Sequence, residues 1–290
     1  MNLFVLGLGY SGSVLARRKL AEGWRVLGTV RSPEKMEALR AEGIEAFPFD
    51  TRTDELENFA MALRETDALL ISIPPVGQGD TLAEKLSRII FGGAGRPRWI
   101  GYLSTIGVYG DHAGAFVDET TPCRPSSMRS RARCEAEKSW MQLGSQLDIP
   151  VIIFRLPGIY GPGRNAFAAL RKGTARRIVK PGQIFNRVHV DDIAAALSLS
   201  MKKDIASAIY NVTDDEPSPP QDVIAFAAAL LGMEPPPEID FAEAELSPMA
   251  ASFYGESKRV RNDLIKRRID FAPQFPSYRE GLEALLRAGE

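Results

Sequence analysis

Gly7, Gly9 and Gly12 stand in the spacing G-x-G-x-x-G, within the stretch Gly7-Leu8-Gly9-Tyr10-Ser11-Gly12. The apolar run Leu3-Phe4-Val5-Leu6 precedes them, and Ser13 to Glu22 follows, with Gly23 behind it. That order reads as a buried strand, a glycine turn and a helix closed by glycine. The chemistry such a turn supports is the binding of a dinucleotide. Its first glycine makes a tight turn, its second admits a pyrophosphate to the backbone, and its third lets helix pack on strand. The helix N-terminus then offers backbone N–H groups and a partial positive charge to the phosphates. Tyr10 and Ser11 lie inside the same loop. Glycine turns also occur without a ligand; the strand before this one and the helix after it favour the nucleotide.

The end of the second strand selects among dinucleotides. It reads Gly28-Thr29-Val30-Arg31-Ser32, with no acidic residue in reach. An acid there accepts the ribose hydroxyls of NAD and repels a 2′-phosphate, whereas Arg31 offers a planar set of donors and Ser32 a hydroxyl. NADP(H) is the expected cofactor and NAD(H) the second choice. The plainer reading is an exposed Arg31 that merely precedes a helix.

Other polar clusters have plain readings. Asp111-His112 with Ser104 suggests a hydrolase triad, but no G-x-S-x-G elbow is present, and a surface loop pair explains them. His189 with Asp191-Asp192 suggests a metal, but an aspartate capping the following helix explains the stretch better. With His112 and His189 the sole histidines, no metal site is expected. Arg164 and Asn165, after Gly161-Pro162-Gly163, either face a substrate cleft or are simply solvated.

These residues need a scaffold. Strands are expected at 24–30, 44–47, 68–73, 99–103 and 151–154, and helices at 33–42, from Asp54 onward, at 82–91 and at 131–147. Alternating elements of this length make a parallel sheet covered on both faces, so the fold expected is α/β, a Rossmann-type doubly wound parallel sheet. Beyond it, 157–163 reads as an irregular, glycine- and proline-rich segment, and 187–190 and 208–212 as returning strands flanking a helix over 192–201. The proline-rich tail, with helices near 221–231 and 277–287, reads as a smaller capping domain at the sheet's carboxyl edge, where ligands of such folds bind. The expected division is 1–155 with about 181–212 for the nucleotide domain, and about 156–180 with 213–290 for the substrate domain.

Composition excludes several classes. The chain of 290 residues carries 36 basic and 37 acidic side chains, a net charge of −1, which lacks the electrostatic footprint of a nucleic-acid or anionic-membrane binder. The basic cluster Lys258-Arg259-Val260-Arg261, with Lys266-Arg267-Arg268, reads as a solvated helix face. Met1 runs into the first strand and the longest apolar run, 223–233, is too short to span a bilayer, so neither a signal peptide nor a membrane segment is expected. Cys123 and Cys134 have no metal or redox spacing and read as reduced thiols of a cytoplasmic protein.

Five further stretches, in order, carry a resemblance: Leu103-Ser104-Thr105-Ile106-Gly107-Val108-Tyr109-Gly110-Asp111, Arg155-Leu156-Pro157-Gly158-Ile159-Tyr160-Gly161-Pro162-Gly163, Val188-His189-Val190-Asp191-Asp192, Tyr210-Asn211-Val212 and Pro276-Ser277-Tyr278-Arg279-Glu280-Gly281-Leu282. Over nearly its full length the chain resembles the extended short-chain dehydrogenase/reductases, the epimerase/dehydratase group. The resemblance implies that Asp50 contacts the adenine and that Ile73-Pro74-Pro75 lies beside the ribose and pyrophosphate. It also implies that Leu156-Pro157-Gly158 lines the nicotinamide pocket, and that Thr105 is the family's catalytic Ser/Thr. Helices corresponding to 82–91 and 131–147 often form dimers in the family. Their apolar residues here (Leu82, Leu86, Ile89, Ile90, Trp140, Leu143) fit either a homodimer face or ordinary core.

Two departures stand beside the matches. The usual pattern G-x-x-G-x-x-G would place a glycine at Leu6; here it is displaced to Gly7, as in the atypical branch. The family's Tyr-x-x-x-Lys is missing. Depending on whether Glu135 or Glu137 matches the family's glutamate, the tyrosine position is Ser127 or Arg129 and the lysine position Arg131 or Arg133. The family's tyrosine moves a proton while hydride moves at the nicotinamide, and an arginine, protonated throughout, is a poor general acid or base. Tyr109 belongs to the Val-Tyr-Gly turn, where the catalytic tyrosine does not usually stand; it is the candidate substitute. Two functions follow as expectations. One is an NADP(H)-dependent oxidoreductase or epimerase with a non-standard site, acting on a small sugar-like or carbonyl substrate. The other is a catalytically silent NADP(H)-binding redox sensor acting through a protein partner.

Overall fold

Runs such as Leu3-Phe4-Val5-Leu6 and Ala68-Leu69-Leu70-Ile71 are apolar at every position, and each of these side chains is buried. A strand apolar on both faces needs cover on both sides, which a parallel sheet flanked by helices supplies. The computed structural model describes residues 1–53, 56–75, 81–92, 95–202 and 205–290; Asp54, expected to start a helix, lies outside the described residues. Two compact units are present. The first comprises Met1–Thr105, Met128–Arg155 and Ile193–Tyr210, the second Ile106–Ser127, Leu156–Asp192 and Asn211–Glu290.

In the first unit the elements run β1 (Asn2–Leu6), α1 (Tyr10–Ala21), β2 (Arg25–Val30), α2 (Pro33–Ala41), β3 (Glu45–Pro48), α3 (Ala60–Arg64), β4 (Ala68–Ile71), α4 (Thr81–Phe91) and β5 (Trp99–Thr105). After β6 (Phe116–Val117) of the second unit come α5 (Met128–Leu147) and β7 (Val151–Leu156). Next are β8 (Gly158–Tyr160), α6 (Ala166–Arg171), β9 (Arg177–Val179), β10 (Arg187–His189), α7 (Val190–Lys202) and β11 (Ala208–Asn211). The chain ends with α8 (Pro220–Leu230), β12 (Glu238–Asp240), α9 (Pro248–Tyr254), β13 (Arg259–Val260), α10 (Asp263–Ile269) and α11 (Tyr278–Arg287).

The main sheet has seven parallel strands in the order β11-β7-β5-β4-β1-β2-β3. Phe4 of β1 pairs with Leu27 of β2 on one side and Leu69 of β4 on the other. Chain order therefore reverses between β1 and β4, and that reversal opens a crevice at the carboxyl edge of a doubly wound sheet. Leu82, Leu86, Ile89 and Ile90 of α4 and Trp140 and Leu143 of α5 are buried in the unit's core, where Trp140 stacks on Tyr102 at 5.9 Å. The exposed positions of the two helices carry charge instead, Glu84 with Arg88 and Glu135 with Lys138. These six apolar residues are core.

One ionic network lies inside this unit. Glu137 of α5 and Arg155 of β7 are 4% and 3% exposed, and Arg155 Nη2 meets Glu137 Oε2 at 2.7 Å. Ser104 of β5 donates its hydroxyl to Glu137 Oε1 at 2.5 Å. Ser104 is thereby a strut between strand and helix, not a nucleophile.

The second unit is built from short parallel pairs, β8 with β10, β9 with β12 and β6 with β13. Several expectations are corrected here. The segment 157–163, expected to be irregular, contains β8; β10, expected to return to the main sheet, pairs with β8. Clustered by compactness, residues 106–127 and 181–192 group with the second unit. The run 258–261 is no helix face: Arg259-Val260 forms β13, and Lys258 is buried with Nζ donating to the Gly110 carbonyl at 2.6 Å. Asp192, expected as a helix cap, is buried and accepts the backbone N–H groups of Gln274 at 2.7 Å and Phe275 at 3.1 Å. It fastens the C-terminal loop to the start of α7. His189 accepts the Asp191 N–H on Nδ1 at 3.2 Å, and its ring packs between Tyr160 and Phe275. Among the described residues no group of three or more His, Cys, Asp or Glu side chains could hold a metal.

Two outcomes follow from these buried charges. Removing one member of a buried ion pair leaves the other uncompensated, so Glu137→Gln costs about 3 kcal/mol or more, read as a lower urea midpoint at unchanged slope. Burial pushes the Asp192 carboxyl up to about 6 from an ordinary 3.8, against the two N–H groups that favour its ionised form. Its stabilising effect is complete below the unfolded value and is lost as pH rises through the folded one. The stability advantage of wild type over Asp192→Asn therefore shrinks by roughly 2–3 kcal/mol between pH 4 and pH 7, in thermal melts across that range.

Candidate functional site

The loop after β1 is held from both neighbouring strands. Gly7 has φ +96°, and its N–H donates to Thr29 Oγ1 at 2.9 Å, while the Leu8 N–H donates to the Thr29 carbonyl at 2.7 Å. A Cβ on Gly7 would stand 2.8 Å from Cγ1 of Ile73, and one on Gly12 would stand 2.7 Å from the Gly7 carbonyl oxygen. Both positions exclude any side chain. Gly28 of β2 is equally tight, since a Cβ there would meet Leu8 at 2.6 Å. Gly9 is different: it is exposed, and a Cβ on it would meet nothing within 4 Å. It caps α1 with no side-chain acceptor, and the helix has no acid in its first turn, so neither offsets the positive end of the helix dipole. Two glycines shape the turn and one opens space above a helix N-terminus, the arrangement a pyrophosphate requires. Ser11 is buried beneath the loop and Tyr10 is half-buried at its rim.

The neighbouring strand ends lie along the same edge. Ser72 donates its N–H to the Leu6 carbonyl at 2.9 Å, which places Ile73-Pro74-Pro75 against Gly7, with Pro74 exposed. Val30 of β2 pairs with Pro48 of β3, and the Phe49 N–H donates to the Val30 carbonyl at 2.9 Å, so Arg31 and Asp50 leave the sheet side by side. Arg31 is exposed. Ser32 is committed elsewhere than expected: its oxygen accepts the Lys35 N–H as the cap of α2, and its hydroxyl donates to Glu34 at 2.5 Å. Asp50 is also engaged. Its carboxylate takes Arg52 Nη2 at 2.5 Å and Nε at 3.0 Å, and the Arg52 N–H at 3.0 Å. These bonds, with Arg31 farther off, hold it well below the usual carboxylate range. An adenine contact through that carboxylate is thus taken by Arg52.

Thr105, at the end of β5, is partly exposed. Tyr109 is fully buried, with its hydroxyl donating to Asn211 Oδ1 at 2.8 Å. That bond anchors a turn within the second unit and engages the hydroxyl expected as a substitute proton donor. Of the two glutamates on α5, Glu135 is exposed and pairs with Lys138, whereas Glu137 is buried on Arg155. Arg129 and Arg131 are exposed. Arg133 donates from Nη1 to the Leu103 carbonyl at 2.7 Å and to Tyr102 Oη at 2.9 Å. Leu156 is buried at the end of β7, and Gly158 begins β8, with its N–H on the Asn186 carbonyl at 3.2 Å.

The remaining candidates are structural. Asp111 accepts the N–H groups of Ser257 and Ala113, and His112 Nε2 donates to the Tyr109 carbonyl at 3.1 Å. Asn165 caps α6 through the Ala168 N–H at 3.2 Å and donates to Glu290 at 2.9 Å. Thr29 and Arg52 escaped the sequence reading. Thr29 sits within the quoted strand end and carries a hydroxyl where a buried strand prefers an apolar branch; Arg52 has no local signal beyond its charge.

The comparisons with known proteins agree with this geometry. The NAD dependent epimerase/dehydratase family matches over residues 94–213. Protein YeeZ of Escherichia coli (strain K12) is 31% identical, with 94% of this chain and 95% of that protein covered. A functionally unknown conserved protein from Silicibacter pomeroyi DSS is 48% identical, with 100% and 99% covered and a TM-score of 0.88. UDP-glucuronic acid 4-epimerase from Bacillus cereus, solved in complex with NAD, shares the fold at a TM-score of 0.79 and 18% identity, with 99% and 96% covered. No helix among the described residues is long and apolar enough to cross a membrane. With its doubly wound sheet, its glycine turn at the β1–β4 reversal and these relatives, the chain belongs to the NAD dependent epimerase/dehydratase family.

Proposed function

We propose that the chain binds NADP(H) at the carboxyl edge of the main sheet and is an oxidoreductase or epimerase whose tyrosine proton relay has been replaced. The observation that carries this reading is the open space over Gly9, with Arg31 and no acid at the end of β2. Gly7, Gly9, Tyr10, Ser11 and Gly12 hold the pyrophosphate, Ile73-Pro74-Pro75 flanks it, and Arg31 faces the 2′-phosphate. Bound there, the nicotinamide supplies hydride transfer. Substrates of sugar-like or small carbonyl type suit such chemistry, and the Bacillus cereus neighbour is a nucleotide-sugar epimerase.

The burial of Glu137 favours the register that puts Arg129 and Arg133 at the positions of the tyrosine and lysine. A guanidinium is a poor general acid or base, unlike a phenol. Arg133 instead braces the end of β5 through the Leu103 carbonyl, and β5 carries Thr105, whose hydroxyl is left as the chain's candidate to orient a substrate oxygen. The silent redox sensor is the second reading, and the locked hydroxyl of Tyr109 and the tied guanidinium of Arg133 favour it.

Three measurements test these statements. Gly9→Ala leaves the melting temperature unchanged, because its Cβ meets no protein atom, yet weakens dinucleotide binding by about tenfold or more, since the methyl fills the ligand's space. Wild type binds NADPH more tightly than NADH in fluorescence titrations, and Arg31→Asp reverses the order; tighter NADH binding by wild type overturns the cofactor assignment. Screening nucleotide sugars and small carbonyls for NADPH oxidation separates the two functions. Turnover that Thr105→Ala abolishes supports the enzyme, and full binding without turnover on any of them supports the sensor.

A further inference from the structure

Arg52 is the one guanidinium fastened at the edge where Arg31 leaves the sheet, among the described residues of that edge. Its Nε and Nη2 grip the Asp50 carboxylate, while its side chain remains 66% exposed and that of Asp50 is 23% exposed. An exposed ion pair two residues apart contributes little to stability. What it does is fix direction: a bidentate clamp on one edge of a guanidinium orients the other edge, Nη1–Nη2, as a second fork. The register Val30 with Pro48, and the bond from Phe49 to Val30, set Arg31 beside Asp50. The carboxylate bonds Arg52 directly and is attracted at longer range by Arg31.

We propose that Arg52, held by Asp50, is a second arginine that recognises the 2′-phosphate of the dinucleotide alongside Arg31. This rests on the NADP(H) reading above. Among the described residues, the charges near the edge include Arg31, Arg52 and Asp50, with Glu34, bonded to Ser32, and Lys35 on the first turn of α2. Because Ser32 spends its hydroxyl on Glu34, the phosphate needs donors other than Ser32, and Arg52 supplies them. Asp50 then acts as a positioning residue. Its oxygens, already engaged by Arg52, do not stand in for the ribose-binding acid absent from the end of β2.

The test is equilibrium titration of the whole chain with NADPH and with NADH, for wild type, Arg52→Gln and Asp50→Asn. Arg52→Gln should weaken NADPH binding by about tenfold and NADH by less than about twofold, and should flatten the salt dependence of NADPH binding. Asp50→Asn should weaken NADPH by a smaller factor at an unchanged melting temperature. If wild type prefers NADPH and Arg52→Gln leaves the NADPH-to-NADH ratio unchanged, the role of Arg52 falls while the cofactor assignment stands. If wild type prefers NADH, the assignment fails and the role of Arg52 falls with it.

Discussion

The close approach of backbone to backbone at Gly7 is the constraint on which the dinucleotide edge depends. Its positive φ turns the chain out of β1, and Thr29 fixes the turn through both its hydroxyl and its carbonyl. Ile73 sits where a side chain on Gly7 would be, and the Gly7 carbonyl sits where one on Gly12 would be. Three strands thereby share one packed junction, and α1 starts with its N-terminus aimed over the sheet's edge. A methyl group at either glycine would push the strand ends apart before any ligand arrived. At Gly9 a Cβ would meet nothing within 4 Å, so the packing of the junction does not require glycine there.

A second constraint is electrostatic. Burying Glu137 and Arg155 is costly unless they pair, and Ser104 adds a further hydrogen bond to the Glu137 carboxylate. The network fixes the rotation of α5 about its axis and so decides which side chains face β5. Arg133 is brought to Leu103 and Tyr102 in consequence. The same rotation exposes Arg129 and Arg131. This helix carries arginines at 129, 131 and 133 and no tyrosine.

Asp192 and Lys258 make the same point in the second unit. Each is charged, each is buried, and each ties a late segment of the chain to an earlier one, Asp192 through the 274–275 backbone and Lys258 through the Gly110 carbonyl. Short strands with few ladder bonds leave this unit dependent on such ties. Its charged residues therefore spend their capacity on holding the fold.

The amino-acid sequence by itself determined the parallel sheet, the strand–turn–helix at residues 3–22 and the absence of an acid after Val30. Those features are local: continuous apolar runs, glycine spacing and the type of one residue suffice to set them. The placement of 106–127 and 181–192 in the second unit was not legible, because β6, β8 and β10 are two or three residues each and their pairing depends on partners farther along the chain. Partners likewise decided the roles of single side chains. Asp50, Ser32 and Tyr109 have the right types at the right positions for a ligand, yet Arg52, Glu34 and Asn211 occupy them. Residue type states what a group can bond; only the tertiary structure states which bonds are already made.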